Sequence, residues 1–227
     1  DNHFLQHLEM KVEGITFVRV DSETPDQLVE KDEQQESVLD EAEQESVKTV
    51  FEGLVKDIGG TVMLKPLSPD DLPVQITRPE FMRRMKDMSA AQGGMSMYGD
   101  MPESLNLVVN LTHPLVKKVF DAKDKKLGKK LEVFENDLLT KKEEVTTLEK
   151  AKEGKKEEEI PQTEKEKLED LNKEVASLEE SKREKLSAFG KENKLAKQMV
   201  DLALLANGML KGADLDKFVK RSVELIK

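Results

Sequence analysis

The segment from residue 121 to about residue 190 constrains the fold more than any other part of the chain. About half of its residues are charged, and leucine is almost its only large apolar residue. Apolar residues recur at alternating spacings of four and three on both sides of a central break: Leu127, Leu131, Phe134, Leu138, Val145 and Leu148, then Leu168, Leu171, Val175, Leu178 and Phe189. Two such arms, joined by a break that contains Gly154 and Pro161, predict an antiparallel helical hairpin.

Two details of this hairpin carry further expectations. The break contains the T-x-x-E pattern of a capping box, Thr163 to Glu166, which predicts where the second arm begins. Lys141 occupies one seam position of the first arm, and two further lysines precede Phe189 in the second arm. Charged residues in a coiled-coil seam lower its stability, so we expect the arms to fray.

The sequence around the hairpin predicts short strands and amphipathic helices. Apolar residues with helical spacing run from Val47 to Ile58 and stop at Gly59-Gly60, which predicts a helix. The segments TVMLKPL and LPVQIT predict two strands, and SLNLVVNL (104–111) predicts a third with one buried face, because its apolar residues alternate with asparagines. We expect the next helix to begin near Pro114, with His113 as a strand-end or capping residue. The predicted fold class is α+β with a small mixed sheet.

The first residues resemble the end of an α/β unit. Residues 4–12 have helical spacing and Gly14 ends that helix, after which ITFVRV (15–20) predicts a buried strand. Too few residues precede this strand to supply its neighbours. We therefore expect the chain to be part of a longer protein.

Six of the ten methionines lie between Pro79 and Met101, which we call the methionine segment. The capping-box pattern from Thr77 to Glu80 predicts a helix that begins near Arg78 and ends near Gly93-Gly94. Methionine is unbranched and polarizable, so a methionine-rich surface adapts to many partner shapes. The alternative interpretation is an ordinary stripe of core residues.

Composition argues against several functions. Aromatic residues are 4% of the chain and the net charge is −10, which argues against binding to single-stranded or duplex nucleic acid. The chain has no cysteine and no apolar run near the roughly 20 residues that a membrane span needs. His3 and His7 have the spacing of one edge of a metal site, but no third ligand is evident, so we predict no metal.

Several segments together resemble one protein family. They are DNHFLQHLE (1–9), FVRVDSETPDQLVEK (17–31), the methionine-bearing helix, NLTHPLVKKV (110–119) and the last thirty residues, QMVDLALLANGMLKGADLDKFVKRSVELIK. They resemble the ninety-kilodalton heat-shock chaperones, in the bacterial form called high-temperature protein G. The resemblance covers residues 1–120 and 191–227. The hairpin is longer than the usual connection of this family, so nothing is carried over to it.

The resemblance implies a domain organisation and a set of partners. Residues 1–30 would be the end of the middle domain and 31–227 the C-terminal dimerisation domain, with the hairpin (121–190) inserted. The parent protein would be a cytoplasmic, ATP-dependent homodimeric chaperone that binds unfolded or partly folded client proteins. ATP and Mg²⁺ would be bound by the absent N-terminal domain, so this chain would have no cofactor and no catalytic residue. No nucleic acid or membrane partner is expected.

The resemblance also implies two sets of site residues. An amphipathic helix that points into the cleft between protomers would bind clients through Phe81, Met82, Met85 and Met88 and, in the following loop, Met95, Met97 and Tyr98. The last helices would form a four-helix bundle between protomers through Leu195, Met199, Leu202, Leu205, Leu215, Phe218, Val219, Val223 and Ile226.

Two alternatives remain open from the sequence. The last helices could instead cap the domain within one chain. The chain could also be a coiled-coil scaffold or adaptor, in which the hairpin (121–190) is the binding element and the flanking domain is only its base.

Overall fold

The computed structural model describes residues 2–15, 17, 39–79, 84, 105–152 and 161–226. The helices in these ranges are α1 (Asn2–Lys11), α2 (Glu41–Val55), α3 (Pro114–Lys152), α4 (Gln162–Glu192), α5 (Lys194–Ala206) and α6 (Gly212–Ile226). The strands are β1 (Gly60–Lys65), β2 (Val74–Thr77) and β3 (Leu105–Asn110). Most of the predicted strand 15–20 lies outside the described residues.

The three strands form one mixed sheet in the order β1-β3-β2. β1 runs parallel to β3, and β2 runs antiparallel to it, so that Leu107 has Val62 on one side and Ile76 on the other. A parallel pair needs a long connection, and the chain between β1 and β3 supplies one that also contains β2. The predicted α+β class with a small mixed sheet is confirmed.

The prediction that β3 has a single buried face was wrong. Val108 and Asn110 lie on the face opposite Leu107 and Val109, yet both are also buried. Burial of the Asn110 amide is compatible with folding because its hydrogen bonds are made. Its Oδ1 accepts from the backbone N–H of Leu67 at 3.1 Å, and its Nδ2 donates to the carbonyl of Ser68 at 2.7 Å. Its Oδ1 also accepts from the N–H and the hydroxyl of Thr112.

Helices cover the face of the sheet that carries Leu107 and Val109. α2 packs on β1 and α5 packs on β2, which encloses a core that includes Phe51 and Val109. α2 begins at Glu41, earlier than the apolar stripe at Val47 indicates, because Asp40 and Glu43 form a reciprocal capping box. The predicted stop is present, since Gly59 adopts a left-handed conformation after a short 3-10 turn.

The start of α3 confirms the capping role predicted for His113. The N–H of Leu115 donates to its Nδ1 at 3.0 Å, which satisfies one of the free donors in the first turn of the helix. This hydrogen bond needs the neutral imidazole, and partial burial lowers the pKa of His113 from its ordinary value.

The antiparallel helical hairpin is present, and its first arm is the continuous helix α3. α3 and α4 would extend about 58 Å and 46 Å at 1.5 Å per residue. Lysines in the seam make ion pairs across the arms: Lys141 with Glu174 at 2.6 Å and Lys182 with Glu135 at 2.8 Å. Another seam lysine, Lys185, lies over the ring of Phe134. The seam lysines therefore have partners in the opposite arm, which offsets part of the cost expected for them.

The predicted capping box at the start of the second arm was wrong. α4 begins at Gln162, after Pro161, and no side chain caps it. Thr163 therefore lies inside the helix. Proline fixes the backbone angle φ near the value needed for the chain to enter a helix, so this start does not depend on a threonine cap.

The base of the hairpin crosses α2 at two glycines. A Cβ atom added to Gly190 would overlap the carbonyl oxygen of Val50 and lie 3.1 Å from its carbonyl carbon. A Cβ atom on Gly53 would lie 2.9 Å from the Cα of Ser187. Glu52 and Arg183 form an ion pair of 3.1 Å beside the crossing. The backbones of α2 and α4 thus meet directly, and the second arm is anchored on the core.

Candidate functional site: the two C-terminal helices

The candidate site is built from α5 and α6, which pack on each other. Asn193 separates α4 from α5, and its side chain accepts from the N–H of Ala196 and so begins the new helix. α5 ends at Asn207-Gly208, and both Gly208 and Gly212 have positive φ angles, which lets the chain reverse into α6.

Polar contacts fix the two helices against each other. Arg221 of α6 forms an ion pair with Asp201 of α5 and donates from its Nε to Gln198 at 2.9 Å. Gln198 in turn donates to the hydroxyl of Ser222 at 2.6 Å. At the far end Lys194 hydrogen-bonds Glu224, and this contact lowers the pKa of the Glu224 carboxyl from its ordinary value. These polar contacts therefore set how α5 and α6 lie against each other.

Several apolar side chains of this helix pair are exposed. No residue of α6 is buried, although the helix is strongly amphipathic. Val219 is 52% exposed, Val223 is 51% exposed and Ile226 is 86% exposed. Leu202 and Leu205 of α5 are also exposed. We call these five residues the apolar face.

The remaining residues predicted for dimerisation lie elsewhere. Leu195, Leu215 and Phe218 are partly buried against the core of their own chain. Met199 is only 3% exposed and belongs to that core. The structure therefore separates the nine predicted residues into an exposed set and a set that attaches α5 and α6 to the domain.

Sequence reasoning did not identify two features of this site. Leu225 is also exposed, and it lies seven residues after Phe218, a spacing that places both on nearby positions of α6. The polar network of Gln198, Asp201 and Arg221 was also missed. A charged residue in the middle of each amphipathic helix was the available signal, but their pairing depends on how the helices cross.

The second predicted site, for client proteins, falls largely outside the described residues. This applies to Phe81, Met82, Met85, Met88, Met95, Met97 and Tyr98. Arg84 in the same segment is described, and its guanidinium donates to both carboxylate oxygens of Glu9, at 2.9 and 3.1 Å. Arg84 also donates to the carbonyl of Phe17, while the N–H of Phe17 donates to Glu9. This bidentate, partly buried contact connects the first helix to the methionine segment.

A groove between α2 and the hairpin is one concave feature of the described part of the chain. It encloses about 680 Å³ and is lined by residues such as Ser46, Thr49, Leu138 and Leu186. Charges on its walls pair with each other, including Lys142 with Glu179 at 2.6 Å. The groove thus presents no unbalanced charge that would select a small ionic ligand.

The described residues contain no cluster of three or more His, Asp or Glu side chains placed to hold a metal ion. Among those same residues, no helix combines the length and the apolar character needed to cross a bilayer.

Comparison with known proteins identifies relatives over the whole chain. A protein of Bacteroides fragilis named chaperone protein HtpG is 40% identical over 222 residues, which cover 96% of this chain. HtpG proteins of Bacteroides thetaiotaomicron and Porphyromonas gingivalis are each 38% identical, over 96% and 100% of the chain. The chain spans about a third of the length of these curated relatives.

The matched region includes the hairpin, because at most 4% of the chain is left out. The resemblance noted from the sequence was limited to residues 1–120 and 191–227, so these relatives extend it. No protein-family model matches the chain. No solved structure matches it either. The predicted family resemblance is confirmed: this chain is homologous to the HtpG chaperones, the bacterial form of the ninety-kilodalton heat-shock family.

Proposed function

We propose that this chain is the self-associating and client-binding portion of an ATP-dependent chaperone. The observation that carries the proposal is the apolar face of α5 and α6. α6 is strongly amphipathic and none of its residues is fully buried, so the exposed part of its apolar side favours an intermolecular contact. The homology to proteins named as chaperones supports the same conclusion.

The proposed association is a two-fold contact between copies of the apolar face. In such an isologous interface the same patch meets itself, so α5 and α6 of each protomer would form a four-helix bundle. A stable dimer buries about 1,200–2,000 Å² in total. The intrachain network around Arg221 would hold each helix pair in place for this contact.

The proposed client site is the methionine segment, with Phe81, Met85 and Met88 as its main apolar contacts. Arg84 lies between these residues in the sequence and is held by Glu9. A movement of the first helix would therefore act directly on the neighbours of Arg84. In the complete protein, which would be cytoplasmic, another domain would bind ATP and Mg²⁺. Movement driven by the nucleotide would then reach the client site through such contacts.

The double variant Val219→Asp/Val223→Asp tests self-association. Two carboxylates placed in an apolar interface should weaken the dimer by about 100-fold or more, because each would have to be desolvated without a partner. Light scattering should give the protomer mass of 25.7 kDa at concentrations where the unchanged chain has twice that mass. Since both valines are exposed in the protomer, helix content by circular dichroism should be retained.

Lys220→Asp is the matched control for this variant. It changes the net charge by the same amount and lies on another part of the surface of α6. It should remain dimeric. An unchanged protein that is monomeric, or a double variant that keeps the dimer mass, would contradict the proposed self-association.

The triple variant Phe81→Ser/Met85→Ser/Met88→Ser tests client binding. Burying each of these side chains contributes roughly 1.5–3 kcal/mol, so binding of a labelled, permanently unfolded model protein should weaken by at least about tenfold. The melting temperature should change little. Met10→Ser, which removes an exposed methionine of α1, is the control and should bind normally. A large fall in melting temperature would show instead that the three residues belong to the core.

A further inference from the structure

The root of the hairpin carries a concentrated positive charge. Seven lysines and only two aspartates lie between Lys117 and Lys130, in a chain whose net charge is −10. The five that are exposed and make no ion pair within the described part of the chain form what we call the lysine surface: Lys117, Lys118, Lys125, Lys129 and Lys130. The other two have intrachain partners, since Lys126 binds Glu192 and Lys123 binds Asp124.

The lysine surface differs from the rest of the hairpin because, among the described residues, its lysines form no ion pairs with the opposite arm. Farther along the arms, Lys141, Lys142 and Lys182 each pair with a glutamate of the opposite arm. Those pairs contribute to the hairpin itself. The five lysines of the lysine surface make no such pair within the described part of the chain, whereas Lys126 beside them does bind Glu192 of α4.

The arrangement of the root lysines is unfavourable for the isolated chain. Lys125 and Lys129 are four residues apart on α3, and like charges at this spacing destabilise a helix. At 100° per residue, Lys118, Lys125 and Lys129 share one side of α3, opposite the side that buries Val116 and Val119. These three charges are therefore gathered on the solvent side of the helix, where a separate molecule can reach them.

We propose that the lysine surface binds an acidic, extended segment of another protein. Between Pro114 and Lys152 all basic residues are lysines, and arginine, the usual residue for bidentate recognition of phosphate, is absent. The described part of this surface has no exposed aromatic ring on which a base could stack. Lysine ammonium groups act as point charges, which suits a flexible row of carboxylates.

The length of the surface fits such a segment. From Lys118 to Lys129 the helix rises about 16 Å, a distance that about five residues of extended chain would cover. The interaction would depend strongly on ionic strength, because exposed charges are screened over about 8 Å at physiological salt. This binding role gives the hairpin a function separate from self-association and from client binding.

The experiment measures binding of a fluorescein-labelled decaglutamate peptide to the full chain by anisotropy, at low and at physiological ionic strength. The triple variant Lys118→Glu/Lys125→Glu/Lys129→Glu should bind at least about tenfold more weakly, because three contacts become repulsive. The triple variant with glutamine at the same three positions should lose less affinity for the peptide, because its charges are removed and not reversed. The control is Lys150→Glu/Lys165→Glu/Lys167→Glu, with the same change in net charge near the far end of the hairpin, and its affinity should change less than about twofold.

Single-stranded RNA and vesicles that contain phosphatidylserine are tested in parallel. Weaker or absent binding of both, with loss of peptide binding in the root variants only, supports the proposal. Three results would overturn it: no peptide binding by the unchanged chain at low ionic strength, an equal loss in the root and control variants, or tighter binding of RNA or vesicles than of the peptide. Circular dichroism checks that each variant remains folded.

Discussion

Gly190→Ala should lower the free energy of unfolding by about 2–4 kcal/mol, a large share of the stability of a domain of this size. The added methyl group would overlap the carbonyl oxygen of Val50, and that oxygen belongs to the backbone of α2. A side chain could rotate away, but here α2 and α4 would have to separate. Separation would also open the contacts that bury Leu186 and Phe189. Urea unfolding followed by circular dichroism gives the value.

Gly128→Ala is the matched control. This glycine also lies inside a long helix, but a Cβ atom there would have no neighbour within 4 Å. Because alanine is the better helix former, the control should be more stable by about 0.5–1 kcal/mol. A loss of stability for Gly190→Ala together with a gain for Gly128→Ala would establish the close contact between α2 and α4 as the cause. If Gly190→Ala were also neutral or stabilising, the close contact between α2 and α4 would be wrong.

Asn110→Ala should cost about 1–3 kcal/mol of stability. The substitution removes the hydrogen bonds that this buried side chain makes to the Leu67 N–H and to the Ser68 carbonyl. Both of those groups keep a second backbone hydrogen bond. The expected loss is therefore that of the hydrogen bonds themselves, at about 0.5–1.5 kcal/mol each. The same side chain also fixes Thr112 just before α3 begins, so we expect the connection between β3 and α3 to loosen. Thermal unfolding measures the first effect and amide hydrogen exchange the second.

Asn106→Ala, on the same strand, serves as the comparison for this variant. Asn106 is half-buried and makes no side-chain hydrogen bond within the described part of the chain. Its replacement should change the free energy of unfolding by less than about 0.5 kcal/mol. Equal losses of stability for Asn110→Ala and Asn106→Ala would show that the hydrogen bonds of the Asn110 amide contribute no additional stability.

Local patterns in the sequence were sufficient to predict most of the helices and strands. The stripe that begins at Val47, the three strands and the two arms of the hairpin each follow from a period of 2, 3.5 or 3.6 residues, which depends on neighbours in the chain. The stop at Gly59 and the cap at His113 were predictable for the same reason. Asn110 of β3 was misinterpreted because alternation alone does not reveal a buried amide with partners.

Features that depend on how elements meet were not predictable. Gly190 looks like an ordinary helix end in the sequence, and only its contact with Val50 explains the need for glycine. The partners of Lys141 and Lys182 depend on the register between the arms. At the candidate site, the family resemblance implied that Val219, Val223 and Ile226 contact a second protomer, and it implied the same for Met199. The sequence could not show that Met199 instead faces the core of its own chain.

A single residue, Asn193, joins the long helix α4 to the shorter helix α5. α4 extends about 46 Å, whereas the thirteen-residue α5 extends about 20 Å. α4 is fixed to the core just before this junction, where Gly190 meets the backbone of Val50. The direction in which α5 leaves the hairpin is consequently set by the same contact that anchors the second arm. A substitution that shifts this crossing should therefore also reorient α5, which carries two residues of the apolar face.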